Sequence, residues 1–183
     1  MASRDQALSL LAAANNHGDL AVKLSSLKQV RDILLAVDPS LASELFPYLA
    51  ELQSSPQSLV RKSLVEIVEE IGSKAMEYLA VLMPVLLALL RDADPDVAAQ
   101  SVISGTKLFS GILEEMAVQM HHRGKVERWL EDLWTWMVKF KDDVYTIAIE
   151  VFGERICGFH QLVMTSELDS LLMARILTNC GHG

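Results

Sequence analysis

An almost uninterrupted apolar run from Tyr78 to Leu90 is followed, a few residues later, by a second helix-forming segment. The polar stretch between the two contains Asp94 and Pro95. Asp at an N-cap, Pro in the first turn and a further acidic residue beside them are all typical of a helix start. The pattern over Tyr78–Leu113 predicts two helices folded back on each other, the second of which continues toward His121. Such a hairpin cannot bury its own apolar surface, which implies neighbours built in the same way.

The same signature recurs upstream at a constant spacing. Pro47 and Pro84 each fall in the first helix of a pair and are 37 residues apart, as are Val60 and Val97 at the restart of the second helix. Three apolar residues of the predicted second helix, Leu27, Val30 and Leu34, lie 37 residues before three apolar residues of the predicted fourth helix. Repeated hairpins of this length are typical of HEAT and armadillo repeats. We therefore predict an all-α fold, a HEAT/armadillo-type α-solenoid of about four helical hairpins, with an unrelated helix bundle as the alternative.

Residues that favour caps and turns divide the chain into eight predicted helices. Asp19 is predicted to cap the second helix and Gly72 to mark the end of the fourth. The charged segment Lys139–Asp143 is predicted to close the seventh helix, and Val144 to begin an eighth. No sustained alternation of apolar and polar residues predicts a strand.

Composition limits the classes of partner. The net charge of −8 argues against a general affinity for nucleic acid or an anionic membrane, because both attract positively charged proteins. The run of 13 residues from Tyr78 to Leu90 is shorter than the roughly 20 that span a bilayer. The first residues lack the apolar segment of a signal peptide, and two cysteines are too few for a disulfide framework. We expect a reducing compartment, cytosol or nucleus, and neither a membrane nor a direct nucleic-acid partner.

Two cysteine–histidine pairs near the C-terminus raise the question of a metal site. Cys157 with His160 and Cys180 with His182 are ligand types that zinc accepts. The second pair is tighter than the usual knuckle spacing, lies at the C-terminus and is not framed by turns that would hold a tetrahedral site. We therefore expect no metal and no other cofactor, with a small zinc-binding protein as the remote alternative. Motifs of nucleotide-binding, zinc-protease and serine-hydrolase sites are missing, so we expect no enzymatic activity.

The remaining candidates are surfaces for protein partners. In a stacked-hairpin solenoid the second helices usually line the concave side, which makes their polar stripes candidate contacts, although a solvated face explains them equally well. Trp129 and Trp134 fall on an apolar helical face, which favours a core position over stacking on nucleic-acid bases. Trp136 lies at the edge of that face. The six candidate interaction residues are Lys28, Asp32, Lys62, Glu66, Glu69 and Trp136.

Three stretches resemble the N-terminal domain of the symplekin family, scaffolds of the pre-mRNA cleavage and polyadenylation machinery, and are most similar to its plant members. They are Leu27–Leu34, Ser58–Glu70 and Trp129–Lys141. The resemblance covers roughly residues 5–149. Leu-Lys-Gln-Val in the first stretch and Val-Arg-Lys in the second are more specific than the repeat period alone.

The resemblance implies a nuclear, non-catalytic scaffold with HEAT-type repeats. Its expected partners are cleavage and polyadenylation factor subunits, and in the family they include a phosphatase that acts on the RNA polymerase II tail. We assign residues 1–150 to this repeat domain and residues 151–183, which do not match the family, to a divergent tail expected to be helical only in part. A HEAT-repeat transport adaptor or phosphatase regulatory subunit is the alternative function, because it uses the same architecture.

Overall fold

The computed structural model describes residues 2–37 and 39–152, and within these ranges the fold is entirely helical. The described chain contains no strand, so the prediction of an all-α fold is confirmed. Two short 3₁₀ helices, Leu52–Ser54 and Met76–Tyr78, lie in the connections. The α-helices are α1 (Ala2–Asn16), α2 (Leu20–Leu34), α3 (Pro39–Glu51), α4 (Ser58–Lys74), α5 (Leu79–Leu89), α6 (Pro95–Arg123) and α7 (Arg128–Phe152).

The chain divides into two compact units, and the division falls within α6. The first unit ends at Leu108 and the second begins at Phe109. Of the predicted tail, 151–183, only the first two residues are described, as the end of α7. The rest of that tail lies outside the described residues, and its assignment stays a prediction.

The helices of the first unit follow a regular order of contacts. α1 contacts α2 and α3, and α3 contacts α5. α2 contacts α4, and α4 contacts α5. α4 is joined to α6 by a hydrogen bond from Ser104 to Glu69. α1, α3 and α5 therefore form one row, and α2, α4 and the first part of α6 form another.

Buried positions recur every 37 residues along the second row. Val60 and Val97, the third residues of α4 and α6, are 0% and 1% exposed. The predicted buried faces of α2 and α4 are confirmed, and the same register continues into α6. The buried sets are Leu27, Val30 and Leu34, then Leu64, Ile67 and Ile71, then Ser101, Ser104 and Leu108.

Two of these buried positions in α6 are serines, and the hydroxyl group of each makes a hydrogen bond. Ser101 Oγ donates to the Val97 carbonyl at 3.0 Å, and Ser104 Oγ donates to Glu69 Oε2 at 2.5 Å. An unpaired buried hydroxyl costs roughly 1–3 kcal/mol, so these bonds decide whether the position tolerates serine. Among the described residues, every fully buried side-chain nitrogen or oxygen has a hydrogen-bond partner.

The predicted helix starts at Asp19 and Asp94 are confirmed. Asp19 precedes α2 and its side chain accepts a hydrogen bond from the Ala21 backbone N–H at 2.8 Å. Asp94 accepts in the same way from Asp96 N–H at 2.9 Å, and Pro95 is the first residue of α6. These bonds satisfy N–H groups that have no partner within the helix. None of the described helices is long and apolar enough to cross a membrane.

The predicted end of α4, at about Ser73, lies within one residue of the observed end, but Gly72 does not terminate the helix as predicted. Gly72 is buried inside α4, which continues to Lys74. A Cβ atom at this position would lie 2.3 Å from Leu79 Cδ2 and 2.8 Å from Leu108 Cδ2. Gly72 therefore permits close packing of α4 against these leucines.

The predicted break at Lys139–Asp143 is also wrong. α7 continues through Val144 to Phe152, and no eighth helix begins there. Phe140, within the charged segment, is 4% exposed and follows Leu133 and Met137 at helical spacing on the buried side. The charged residues of this segment therefore do not interrupt the apolar stripe of α7.

Candidate protein-interaction face

Five of the six predicted interaction residues lie on the second row of the first unit. Lys28 and Asp32 belong to α2, and Lys62, Glu66 and Glu69 belong to α4. Lys28, Asp32 and Glu66 are exposed, whereas Lys62 and Glu69 are partly buried. The structure brings them onto two adjacent helices, but their local partners differ.

Glu69 links α4 to α6. Its carboxylate accepts hydrogen bonds from Ser104 Oγ at 2.5 Å and from Lys107 Nζ at 2.8 Å, and its side chain is 20% exposed. Burial acts to raise the pKa of Glu69, but the bonds from Lys107 and Ser104 outweigh it, so the pKa lies below its usual value. Both carboxylate oxygens are already occupied. The position of Glu69 therefore favours a structural role.

Asp32 lies beside a second link, which joins α2 to α4. Arg31 Nη2 is 2.8 Å from Asp32 Oδ1, and Arg31 Nη1 is 3.4 Å from Glu70 Oε2. Glu70 also pairs with Lys74 at 3.2 Å. Sequence reasoning missed Arg31 and Glu70, because an ion pair between neighbouring hairpins leaves no signal in the period of a single helix.

Glu66 differs from the other carboxylates of α4. Among the described residues, no hydrogen bond or ion pair involves its side chain, and none joins it to Lys62 one turn earlier. Glu66 borders an open groove of about 450 Å³ between α4 and α6. The groove is lined by Glu66, Glu69, Glu70, Ser73 and Lys74 from α4 and by Gln100 and Lys107 from α6.

A largely buried ion pair holds α4 against the connection between α5 and α6. Arg61 Nε donates to Asp92 Oδ2 at 2.6 Å and Arg61 Nη2 donates to Asp92 Oδ1 at 2.8 Å. Arg61 Nη1 also donates to the Ser55 carbonyl at 2.6 Å. The side chains of Arg61 and Asp92 are 14% and 6% exposed. The hydrogen bond from Arg61 holds the pKa of Asp92 below its usual value.

Lys23 makes a similar connection one hairpin earlier. Its Nζ donates to the Asn15 carbonyl at 2.9 Å and to Gln57 Oε1 at 3.0 Å. Asn15 lies in the last turn of α1, and Gln57 is the N-cap of α4. Lys23 is 4% exposed and lies 37 residues before Val60, so its stem fills a core position while its ammonium group joins two hairpins. The sequence does contain a signal for this role, because Lys23 stands at the position of the 37-residue register that Val60 occupies in α4.

Trp136 lies on α7 in the second unit. Lys139 Nζ is 5.7 Å from the centroid of its ring, within the range of a cation–π contact. Trp134 packs against Phe109 with ring centroids 5.6 Å apart, and Trp129 Nε1 donates to Glu127 Oε2 at 2.6 Å. All three tryptophans are partly buried. Exposure therefore does not distinguish Trp136, and its predicted partner contact stays a prediction.

The zinc hypothesis concerns four residues near the C-terminus. Cys157, His160, Cys180 and His182 all lie outside the described residues. Within residues 2–37 and 39–152, no group of three His, Cys, Asp or Glu side chains is placed to hold a metal ion. In the comparison with known protein families, no family model matches the chain.

Proposed function

We propose that this protein is a symplekin-like, non-catalytic scaffold in pre-mRNA cleavage and polyadenylation. Its helices would form a HEAT/armadillo-type solenoid that holds processing factors in the nucleus. The observation that carries the proposal is the 37-residue recurrence of buried positions along α2, α4 and α6.

The order of helix contacts in the first unit supports the repeat architecture. α1 contacts α3, α3 contacts α5, and α2 contacts α4, so each of these three helices lies against the helix two places further along the chain. That order is expected when consecutive hairpins stack and each repeat touches only its neighbours. The links from Lys23 to Gln57 and from Arg61 to Asp92 run between successive hairpins in the same direction.

The location of the resembling stretches supports the scaffold function. Leu27–Leu34 lies in α2 and Ser58–Glu70 lies in α4, the two helices that carry five of the six candidate interaction residues. Stacked hairpins expose an extended surface, which binds partners by shape and charge instead of through a reactive group. The expected partners are subunits of the cleavage and polyadenylation factor and a phosphatase that acts on the RNA polymerase II tail.

Affinity capture from nuclear extract tests this proposal. The whole chain serves as bait, and a variant that exchanges two charges on α4, Lys62→Glu with Glu66→Lys, serves as the matched comparison because it keeps the net charge. We expect cleavage and polyadenylation subunits to be enriched on the wild-type bait and reduced on the variant. Circular dichroism of both baits is the control that they are folded and helical.

Capture of none of these subunits by a folded bait would contradict the proposed function. Enrichment of transport receptors or of phosphatase catalytic subunits from cytosolic extract would instead favour the alternative of an adaptor or regulatory subunit.

A further inference from the structure

The groove between α4 and α6 carries a carboxylate that the fold does not neutralise. Its two lysines are both engaged, Lys74 with Glu70 at 3.2 Å and Lys107 with Glu69 at 2.8 Å. Three carboxylates line the groove, so one of them, Glu66, has no lysine of the groove as a partner. Its side chain is exposed and has no partner among the described residues. The negative charge at Glu66 is available to a cation from outside the chain.

An exposed apolar side chain lies on the stretch of α6 that borders this groove. Gln100 and Lys107 of α6 line the groove, and Ile103 falls between them at three- and four-residue spacing, on the same stripe of the helix. Ile103 is 51% exposed, although most aliphatic side chains of this unit are buried. It occupies on α6 the register position that Glu66 occupies on α4, 37 residues earlier. A carboxylate and an exposed isoleucine therefore face the solvent side by side on neighbouring helices.

We propose that this groove binds a basic segment of a protein partner, in which an Arg or Lys side chain pairs with Glu66 and an adjacent aliphatic side chain packs on Ile103. The long stem of Arg or Lys suits this pair, because the stem covers apolar surface while the head reaches the carboxylate. Charge complementarity selects this occupant, since the chain carries a net charge of −8. The inference deepens the proposed scaffold function by giving the chemistry of one partner segment.

Fluorescence anisotropy with synthetic peptides tests the groove directly. The probes are a labelled amphipathic peptide of Arg and Leu residues and its counterpart with Glu for each Arg. Each is titrated with the whole wild-type chain and with the variants Glu66→Gln, Ile103→Ser and Glu51→Gln. Glu51 is an exposed carboxylate on α3, in the other row, and its variant removes the same charge outside the groove.

We expect the Arg–Leu peptide to bind the wild-type chain and the Glu–Leu peptide not to bind. Glu66→Gln should raise the Kd about three- to fivefold, as expected for one partly exposed ion pair, and Ile103→Ser should raise it by a similar factor. Glu51→Gln should leave the Kd unchanged. The Glu66 contribution should decrease as salt is added, because exposed charges are screened.

Equal weakening by Glu66→Gln and Glu51→Gln would overturn the proposal, because it would show only general attraction to an acidic protein. Unchanged binding by both groove variants would overturn it as well. The scaffold function is tested separately. If the wild type and Glu66→Gln captured nuclear partners equally, the groove would be excluded as their binding site, but the scaffold function would stand. Peptide binding that depends on Glu66, without capture of any processing factor, would support the groove as a binding site and contradict the proposed scaffold function.

Discussion

Arg61 and Asp92, 31 residues apart, form a largely buried ion pair through two hydrogen bonds of 2.6 and 2.8 Å. Asp92 Oδ1 also accepts a hydrogen bond from the Asp94 backbone N–H at 2.8 Å, next to the start of α6. One carboxylate thus connects α4 with the turn that begins the next helix. Removing either partner leaves the other charge with too few hydrogen bonds in a mostly buried place.

Asp92→Asn should lower the free energy of unfolding at neutral pH by about 2 kcal/mol, because an amide cannot replace a carboxylate beside Arg61. The folded-state pKa of Asp92 lies below the ordinary 3.8, so the stabilisation is present above that pH and is lost as the pH falls through the folded-state value. Urea unfolding should show that the difference from wild type shrinks below about pH 4. Asp132→Asn, an exposed position on α7, is the control and should show little change at any pH. A difference that persists or grows in acid would contradict the ion-pair assignment.

Gly72→Ala should destabilise the first unit by about 1 kcal/mol. The added methyl group would collide with Leu79 and Leu108, which are 0% and 3% exposed and have little room to move. Overpacking of this kind costs about 1–3 kcal/mol, which exceeds the gain of up to about 1 kcal/mol from the better helix propensity of alanine. Thermal unfolding followed by circular dichroism measures the effect.

Gly18→Ala provides the matched control for that substitution, because a Cβ at Gly18 meets no atom within 4 Å. It should leave the melting temperature unchanged or slightly raised. If Gly72→Ala behaved in the same way, the close approach of α4 to these leucines would be refuted.

Val97→Asp should destabilise the protein by several kcal/mol, on the order of 3, because it places an unpaired charge at a position that is 1% exposed. Ile103→Asp, on the same helix but at a position that is 51% exposed, should change stability by less than about 0.5 kcal/mol. Denaturant titration of the two variants separates burial from a general effect of charge on α6. Similar stability of both variants would show that the register of the third hairpin is wrong.

Lys23→Ala should lower stability by about 2 kcal/mol, because it removes a buried stem and leaves the Asn15 carbonyl and the Gln57 side chain without their shared donor. Lys23→Met keeps most of the volume and should recover at least half of the loss. The comparison by urea unfolding distinguishes packing from hydrogen bonding at this position. Equal losses in the two variants would mean that the hydrogen bonds of Nζ, and not the stem, dominate.

The buried faces of α2 and α4 and the starts of α2 and α6 could be predicted from the sequence because they depend on neighbours along the chain. The apolar steps Leu27–Val30–Leu34 and the caps at Asp19 and Asp94 are local signals, and the structure confirms them. The predicted break at Lys139–Asp143 is wrong because the buried stripe of α7 continues through Phe140, between the charged residues of this segment.

The connections between hairpins could not be predicted from these local signals. Arg61 contacts Asp92 and Ser104 contacts Glu69 only after α4 lies beside α6 and the connection that precedes it. The same reason explains Glu69, which was predicted as a partner contact although both of its oxygens are used inside the fold. The sequence neighbours of Gly72 do not reveal that Leu79 and Leu108 pack against it, so its role in close packing could not be predicted.

Proximity labelling in intact cells tests the central claim most directly. The whole chain, fused to a promiscuous biotin ligase, is expressed beside the ligase alone, and the biotinylated proteins are quantified by mass spectrometry. A nuclear scaffold of pre-mRNA 3′-end processing predicts strong enrichment of cleavage and polyadenylation subunits over the ligase control. Enrichment confined to cytosolic proteins, with these subunits at the level of the control, would contradict it.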